Sequence, residues 1–402
     1  MNRAAACAAA LSGLPGMGPA GLVRVLAEHD PESAWELVRS ARISRPRLDG
    51  GQLRLVSDSE RDRSWSELAR RLDPFSWWSR FAERGVGVTW WGSPDYPPAL
   101  THDPQPAGVL FWMGNPAVLD CPAVAIVGTR HATPDGRSVA YELGRDLAAA
   151  GICVVSGLAL GIDGAAHTGS LDAIDRGAPG AVAGVAASGV DVPYPRRHAG
   201  LWSRVSASGV ILSENLPGRP AQAWRFPSRN RVIAGLVRMV VVVESHAKGG
   251  SLITAEAALE RGIEVRVVPG PVRSPASAGS NQLLYDGPGP VRGARDVLDA
   301  LGLFDRPHDG VRPDRCGEVG AVDAIPRSAG AEGGEGPSFE VSAAGRRGHA
   351  GAVLAALGRR PATTGQLMAR TGLDAPTVLR VLGPLSVAGI VAEDAGWWVR
   401  MR

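Results

Sequence analysis

The sequence predicts an α/β protein: a Rossmann-like, largely parallel sheet, with an N-terminal helical domain before it and a C-terminal winged-helix domain after it. Three observations carry this. Six short apolar runs between residues 123 and 268 alternate with helical patterns. Runs that are apolar at every position mark strands buried on both faces, as in parallel sheets covered by helices. The stretch from Ala4 to Val38 is helical and rich in small residues, and residues 346–402 read as three helices followed by an alternating hairpin, a winged helix-turn-helix pattern.

Composition sets the limits. At 402 residues and 45% hydrophobic content, the chain can fill two or three domains of about 100–200 residues each. The formal net charge is +3 and the pI near 8.9, and the positive charge is almost all arginine, with Lys248 the single lysine. So small an excess does not by itself imply a polyanionic partner; local placement has to. Cys7, Cys121, Cys153 and Cys316 lie far apart with no CxxC pair. This argues against zinc and against a disulfide framework and fits a reducing cytoplasm. No metal or cofactor is expected. The start resembles a leader with an alanine run to Ala10, but its apolar stretch is too short and Leu14-Pro15-Gly16 follows at once. No apolar run is long enough to span a bilayer, so no membrane partner is expected.

Residues 1–75 are read as an N-terminal helical domain of SAM or helix-hairpin-helix type, centred on the glycine-rich turn Leu14-Pro15-Gly16-Met17-Gly18. Such a turn either aims amides at a DNA phosphate or simply lets two helices fold back on each other. Arg39, Arg42, Arg45 and Arg47 fit a solvated face. Residues 76–304 form the extended Rossmann-like domain. Its approach is aromatic, with Trp77, Trp78, Trp90 and Trp91, read as packing between neighbours rather than a base-stacking platform. The strands expected next are Ala123–Gly128, Ile152–Ser156, Gly180–Ala187, Val210–Ser213, Met239–Glu244 and Glu264–Val268. Residues 305–345, without periodicity and rich in glycine, proline and charge, are read as a flexible linker. In 346–402, Asp374 caps the third helix, whose one cation is Arg380; such a fold binds duplex DNA or protein.

The chemistry gathers at the strand ends, where open α/β sheets bind ligands. Trp224-Arg225-Phe226-Pro227-Ser228-Arg229-Asn230-Arg231 sets three arginines and an asparagine at a helix entrance, where free amides, the helix dipole and guanidinium forks all favour phosphate. Arg130 follows the first strand, Ser156-Gly157 ends the second, and Lys248-Gly249-Gly250-Ser251 follows the fifth. Asp163 is placed as the cap of the helix bearing His167, and His167 as a structural hydrogen-bonding residue. No serine or cysteine stands with a positioned histidine, so no catalytic residue is expected. One nucleotide phosphate would fill one helix entrance; basic side chains spread over several strand ends suit the successive phosphates of single-stranded nucleic acid.

Taken in order, Ile126-Val127-Gly128-Thr129-Arg130, Ser156-Gly157-Leu158-Ala159 with Gly161-Ile162-Asp163 and His167, Tyr194-Pro195, Ser213-Glu214, Phe226-Pro227 with Arg229-Asn230-Arg231, Gly250-Ser251-Leu252-Ile253-Thr254-Ala255 and Pro269-Gly270 closely resemble the DprA (Smf) family of DNA-processing proteins. The likeness is strong from about Gly85 to Leu303. It implies a non-enzymatic, cytoplasmic, homodimeric protein that binds and shields incoming single-stranded DNA in natural transformation and helps load the recombinase RecA. It further implies that Arg130, Arg229, Asn230 and Arg231 contact phosphates, that the turns at Ser156-Gly157 and at Gly249-Gly250-Ser251 beside Lys248 approach the strand, and that Phe226 stacks a base. Arg130→Ala and Arg229→Ala are both expected to weaken single-strand binding and flatten its salt dependence. The chain departs from the family at Gly249, where serine is usual, and in the alanine-rich 180–191. A rival resemblance is to nucleoside-monophosphate phosphoribohydrolases, whose PGGxGTxxE loop is echoed by Lys248–Glu256, with Glu256 displaced from the family spacing and the proline absent.

Overall fold

A computed structural model describes residues 2–42, 46–49, 52–55, 61–303, 343–357, 362–387, 391–394 and 397–400. The chain divides into two units, residues 1–314 and 315–402.

The first unit begins with helices α1 (Arg3–Ser12), α2 (Pro19–Glu28) and α3 (Pro31–Arg39), a hairpin of β1 (Pro46–Asp49) and β2 (Gln52–Leu55), then α4 (Arg61–Arg71) and α5 (Pro74–Ala82). The alanine run that mimics a leader is α1, capped by Asn2, whose side chain accepts from the Ala4 amide at 2.9 Å. Its residues Ala6–Leu11 are buried. The glycine turn is held by packing. The Trp65 indole donates to the Pro15 carbonyl at 3.0 Å, and Leu14 and Met17 are buried. At Gly108 a methyl group would fall 2.4 Å from Leu22 Cβ, so α2 lies directly on the chain leading into the sheet.

The sheet has nine strands. After β3 (Val86–Trp90), the short α6 (Pro98–Thr101) and β4 (Val109–Gly114) come β5 (Ala123–Val127), α7 (Pro134–Ala149), β6 (Cys153–Ser156), α8 (Ile162–Ile174), β7 (Ala181–Val185), α9 (Ala199–Ser208) and β8 (Val210–Ser213). Then follow α10 (Arg225–Gly235), β9 (Met239–Val242), α11 (Gly250–Leu259), β10 (Glu264–Val267), α12 (Ala278–Tyr285), β11 (Gly289–Pro290) and α13 (Ala294–Ala300). The spatial order is β11-β10-β9-β5-β6-β7-β8-β4-β3. From β11 to β8 every pairing is parallel, and β4 and β3 add an antiparallel edge. The six expected strands are all present. β6 and β8 end where expected, at Ser156 and Ser213, whereas β5, β7, β9 and β10 stop short of Gly128, Ala187, Glu244 and Val268, because those last residues turn into the loops at the carboxyl end of the sheet.

Alternation along the strands fixes the layers. Ala125, Val155, Ala183, Leu212, Val240 and Val242 face α10 and α11. On the other face, Val124, Ile126, Val154 and Val241 meet α7 and α13. Val182 and Ile211 share a core with Leu11, Val25, Trp35, Trp65 and Trp78 of the N-terminal helices. Those helices are therefore a covering layer of the sheet. Trp78 makes ring contacts with Trp77, Phe81 and Phe111, so these aromatics pack rather than stack bases. Small residues in 180–187 answer to a neighbour: a methyl group at Gly184 would meet Leu158 Cδ1 at 2.8 Å.

Beneath α10 and α11, Arg261 and Asp103 form a bidentate ion pair at 2.8 and 3.1 Å, with side chains 5% and 3% exposed. Asp103→Ala would leave the guanidinium buried without its partner. A stability loss of about 3–5 kcal/mol is expected, read from the midpoint of denaturant unfolding.

The second unit holds α14 (Ala343–Leu357), β12 (Ala362–Thr363), α15 (Thr364–Thr371), α16 (Ala375–Val387), β13 (Val391–Asp394) and β14 (Trp397–Arg400), with strand order β12-β14-β13. Thr363 and Gln366 form a reciprocal capping box, and Asp374 accepts from the Thr377 amide at 3.1 Å. Val353, Leu357, Leu367, Val378, Leu382 and Trp398 make its core. The stretch 305–345 read as a linker lies outside the described residues up to 342, and α14 already includes Ala343–Gly345. Arg380 falls on α16, its side chain outside the described residues.

Candidate nucleic-acid interface

The strand order reverses at β5, which has β6 on one side and β9 on the other. Crevices of open α/β sheets form at such a point, beyond the carboxyl ends of the strands. Here a cavity of about 620 Å³ opens between the loop after β5, the start of α10 and the start of α11. Arg130, Phe226, Arg229, Asn230, Gly249, Gly250 and Ser251 all line it.

Its open wall is aromatic and cationic. The Arg130 guanidinium, on an exposed residue, sits 4.6 Å from the centre of the half-buried Phe226 ring. Tyr194 packs against the same ring at 5.5 Å and is 44% exposed. A guanidinium over an aromatic face is held by the ring quadrupole, so Arg130 is pre-oriented while its donors remain open. Tyr194, from the long loop between β7 and α9, has as its one signal in the sequence an aromatic beside a proline.

The arginine cluster differs from the sequence expectation. Helix α10 starts at Arg225, with Trp224 as its cap, because Pro227 is tolerated in a first turn, where its missing N–H would be unpaired anyway. Arg229, Asn230 and Arg231 are thus inside the helix, not at its entrance, and the free amides belong to the turn before them. Arg229 is 7% exposed. Its Nη1 donates to the carbonyls of Gly157 and Val185, both at 2.6 Å, and its Nε to Asn230 Oδ1 at 3.1 Å. Asn230 Nδ2 continues to the Gly250 carbonyl at 3.3 Å. This chain of bonds joins the loop after β6, the end of β7 and the start of α11. Arg231 lies outside the cavity: it donates to Glu214 and to the Gln105 carbonyl, each at 2.5 Å.

Ser156, Gly157 and Lys248 also lie outside the cavity lining. Ser156 is fully buried and donates to the Ile126 carbonyl at 2.6 Å. Gly157 stands behind Arg229, where a methyl group would meet Nη1 at 2.4 Å. Lys248 is exposed on the loop before α11. That helix begins with Gly249 as its cap, in extended conformation. The space a serine Cβ would take at Gly249 is occupied by the Ser245 hydroxyl, 2.2 Å from that point. Ser245 in turn accepts from the Ser251 hydroxyl at 2.8 Å, so a hydroxyl is retained here from another residue.

The carboxylates have separate tasks. Glu244 accepts from the Thr133 amide and hydroxyl at 2.9 and 2.6 Å, fixing the start of α7. Asp163 is not the cap of α8; Gly161 is. Instead Asp163 Oδ2 turns back to accept from the Gly157 and Ala159 amides at 3.2 and 3.4 Å. Burial pushes the Asp163 carboxyl up, opposed by Arg229. Burial likewise lowers the Arg229 guanidinium to about 10, opposed by Asp163.

His167 is fully buried, with the Ser156 backbone as its polar neighbour and no hydrogen bond of good geometry at either ring nitrogen. Burial, with a smaller contribution from His198, lowers it from the ordinary 6.5 to about 3. The unfolded chain takes up this proton below about 6.5 and the folded chain only near 3. Stability is therefore expected to fall as pH drops through that window, by roughly 1.4 kcal/mol per pH unit from this group. His167→Asn should flatten that part of a stability-versus-pH curve; an unchanged slope would refute the assignment. Among the described residues no group of three His, Cys, Asp or Glu side chains is placed to hold a metal ion.

Comparison with known proteins agrees with this architecture. The model of the family described as DNA recombination-mediator protein A matches residues 87–302, and that of the DprA winged helix domain matches residues 337–396. The putative DNA processing protein DprA of Mycobacterium tuberculosis (strain ATCC 25618 / H37Rv) is 38% identical over 299 residues, covering 73% of this chain and 69% of the relative. Protein Smf of Synechocystis is 29% identical over 413 residues, covering 98% of both. The X-ray structure of DprA from Streptococcus pneumoniae aligns with a TM-score of 0.59 at 26% identity, over 74% of this chain and 98% of that one. With a family model spanning more than half its length and relatives alike in both units, the chain belongs to the DNA recombination-mediator protein A family, whose members are also named DprA and Smf.

Proposed function

We propose that this chain binds single-stranded DNA through the cavity at the β5/β9 crevice and, as a non-enzymatic mediator, shields incoming DNA and helps load RecA in transformation and recombination. The observation that carries the reading is the open wall of Arg130, Phe226 and Tyr194, facing the amide-rich start of α11. It offers one cation, one aromatic platform and backbone donors without a nucleophile beside a base. Aromatic stacking with groove cations is the usual means of holding a strand without reading its sequence. Arg130, Phe226, Gly249, Gly250 and Ser251 are the proposed contacting residues, with Lys248 reaching the strand as it leaves the cavity. Arg229 and Asn230 act from the cavity wall; Ser156, Gly157 and Arg231 support it from behind.

The reading includes a cytoplasmic homodimer. Among the described residues no helix is long and apolar enough to cross a membrane. Val272, 92% exposed on the loop after β10, and Tyr285, 87% exposed at the end of α12, are large apolar side chains left open to solvent and fit a surface buried between copies. Val272→Asp combined with Tyr285→Asp is expected to shift the chain from dimer to monomer in light scattering without loss of helical signal; a dimer that persists would place the interface elsewhere.

The phosphoribohydrolase reading finds less support. Glu256, the carboxylate it would need on the ribose, is exposed and does not line the cavity. An anisotropy titration of single-stranded against duplex oligonucleotides, with a base-release assay on the same preparation, tests both. Salt-sensitive, length-dependent single-strand binding without turnover is expected; released base would overturn it.

A further inference from the structure

A second recess lies away from the strand ends, on the N-terminal helices. A cavity of about 580 Å³ opens between α1, α3, α4 and α5. One of about 730 Å³ adjoins it at the ends of α3 and α4, sharing Ser33, Glu36, Arg39 and Arg70. Neither shares a residue with the cavity at the β5/β9 crevice. The floor of the first is apolar, built from the buried Cys7, Trp35, Ala69 and Pro74, and burial pushes the Cys7 thiol up to about 11. At its edge Phe75 is 43% exposed, although Trp78, one turn further along α5, is in the core.

The charges on the rim do not cancel. Glu36 pairs with Arg39, and Glu32 lies 3.8 Å from Arg3. Asp73 accepts from the hydroxyl and the amide of Ser76, which caps α5 and holds its carboxyl below the ordinary range. Arg42, Arg70 and Arg71 are exposed and form no ion pair among the described residues. Arg70 and Arg71 close α4, where the helix dipole favours cations. That attraction is to the charge and leaves the guanidinium donors open.

An occupant of this recess has to bring anions for those three arginines and an apolar group for the floor. Nucleic acid fits badly. Its evenly spaced phosphates would also meet the carboxylates of Glu32 and Glu36, about half exposed on the same rim, and like charges repel. A polypeptide can place its carboxylates and its apolar side chains independently. Arginine and large aromatic side chains around a water-free centre are, moreover, the make-up of hot spots between proteins. We propose that the recess docks an acidic segment of a partner protein. An apolar side chain of that segment sits against Phe75 and Trp35, and its carboxylates meet Arg70, Arg71 and Arg42. Because the recess and the strand-end cavity have no residue in common, one chain can hold a strand and the partner together.

The test uses the full chain and a fluorescein-labelled peptide of aspartate and glutamate around a central phenylalanine, with a control peptide carrying serine in its place. Fluorescence anisotropy is expected to show binding of the phenylalanine peptide, and roughly tenfold weaker binding of the serine peptide. Arg70→Gln combined with Arg71→Gln removes two exposed charges and should weaken the phenylalanine peptide by a similar roughly tenfold factor. The same variant should keep the wild-type unfolding midpoint and the wild-type affinity for oligo-dT. Hydrogen exchange on the wild-type chain should show the peptide protecting amides of α3 and α4. Absence of peptide binding, or equal binding by the variant, would overturn the proposal. Equal binding of the two peptides would reduce the recess to a patch of charge and overturn it too. A folded variant that keeps the peptide but loses affinity for oligo-dT would make this a nucleic-acid face instead.

Discussion

Arg229→Ala is expected to lower stability by about 3–5 kcal/mol, the range for removing one member of a buried charged network, and to weaken single-strand binding by at least tenfold. The slope of log affinity against log salt should stay unchanged. The reason is where the guanidinium spends its donors. Two go to the Gly157 and Val185 carbonyls and one to Asn230, which reaches Gly250. Truncation strands two buried carbonyls, leaves Asp163 without its countercharge and unties the three loops that shape the cavity. A group bonded inward displaces no counterion from DNA, so the salt slope should not register its loss. Arg130→Ala is the counterpart. Arg130 is exposed and held only by a ring contact, so the variant should fold normally, bind less tightly, and show a salt slope reduced by about 0.7 for the one phosphate it no longer meets. Unfolding curves and titrations at several salt concentrations on both variants separate the roles. Equal slope changes would mean that Arg229 contacts phosphate after all.

Gly161→Ala should be nearly as damaging through backbone geometry alone. Gly161 has φ +80°, and a methyl group there would lie 2.3 Å from the Thr129 carbonyl oxygen and 2.8 Å from that of Arg130. The left-handed conformation costs an alanine roughly 1–3 kcal/mol, and the clash with main chain cannot be relieved by a rotamer change. The loop after β5 and the start of α8 must then move apart, shifting Arg130 and Asp163 together. A combined loss of about 2–5 kcal/mol in denaturant unfolding and loss of oligonucleotide binding are expected. Wild-type affinity in a folded Gly161→Ala would show that the spacing of these two loops does not matter to the site.

The sequence by itself determined the strands and the loops from which the cavity is built, and the reasons are local. A run such as Met239–Val243 that is apolar at every position can only be a strand buried on both faces, and six such runs with helices between them leave little choice but a parallel sheet. The loops at their carboxyl ends are then the place for a ligand, which is why Arg130, Phe226, Gly249, Gly250 and Ser251 could be named without coordinates. Which way a side chain turns is a property of the packed chain. Arg229, Arg231 and Arg130 look alike in sequence; only the tertiary structure decides that Arg229 ties loops, Arg231 pairs with Glu214, and Arg130 remains open. The same holds for Asp163, which in sequence reads as a helix cap. Gly161 takes that position, and this releases the carboxylate to hold the Gly157 loop and face the cavity. Hydrogen-bond partners 44 and 72 positions apart in the chain, as for Arg229 with Val185 and Gly157, leave no periodicity to read. They exist only once the sheet has brought the strand ends together.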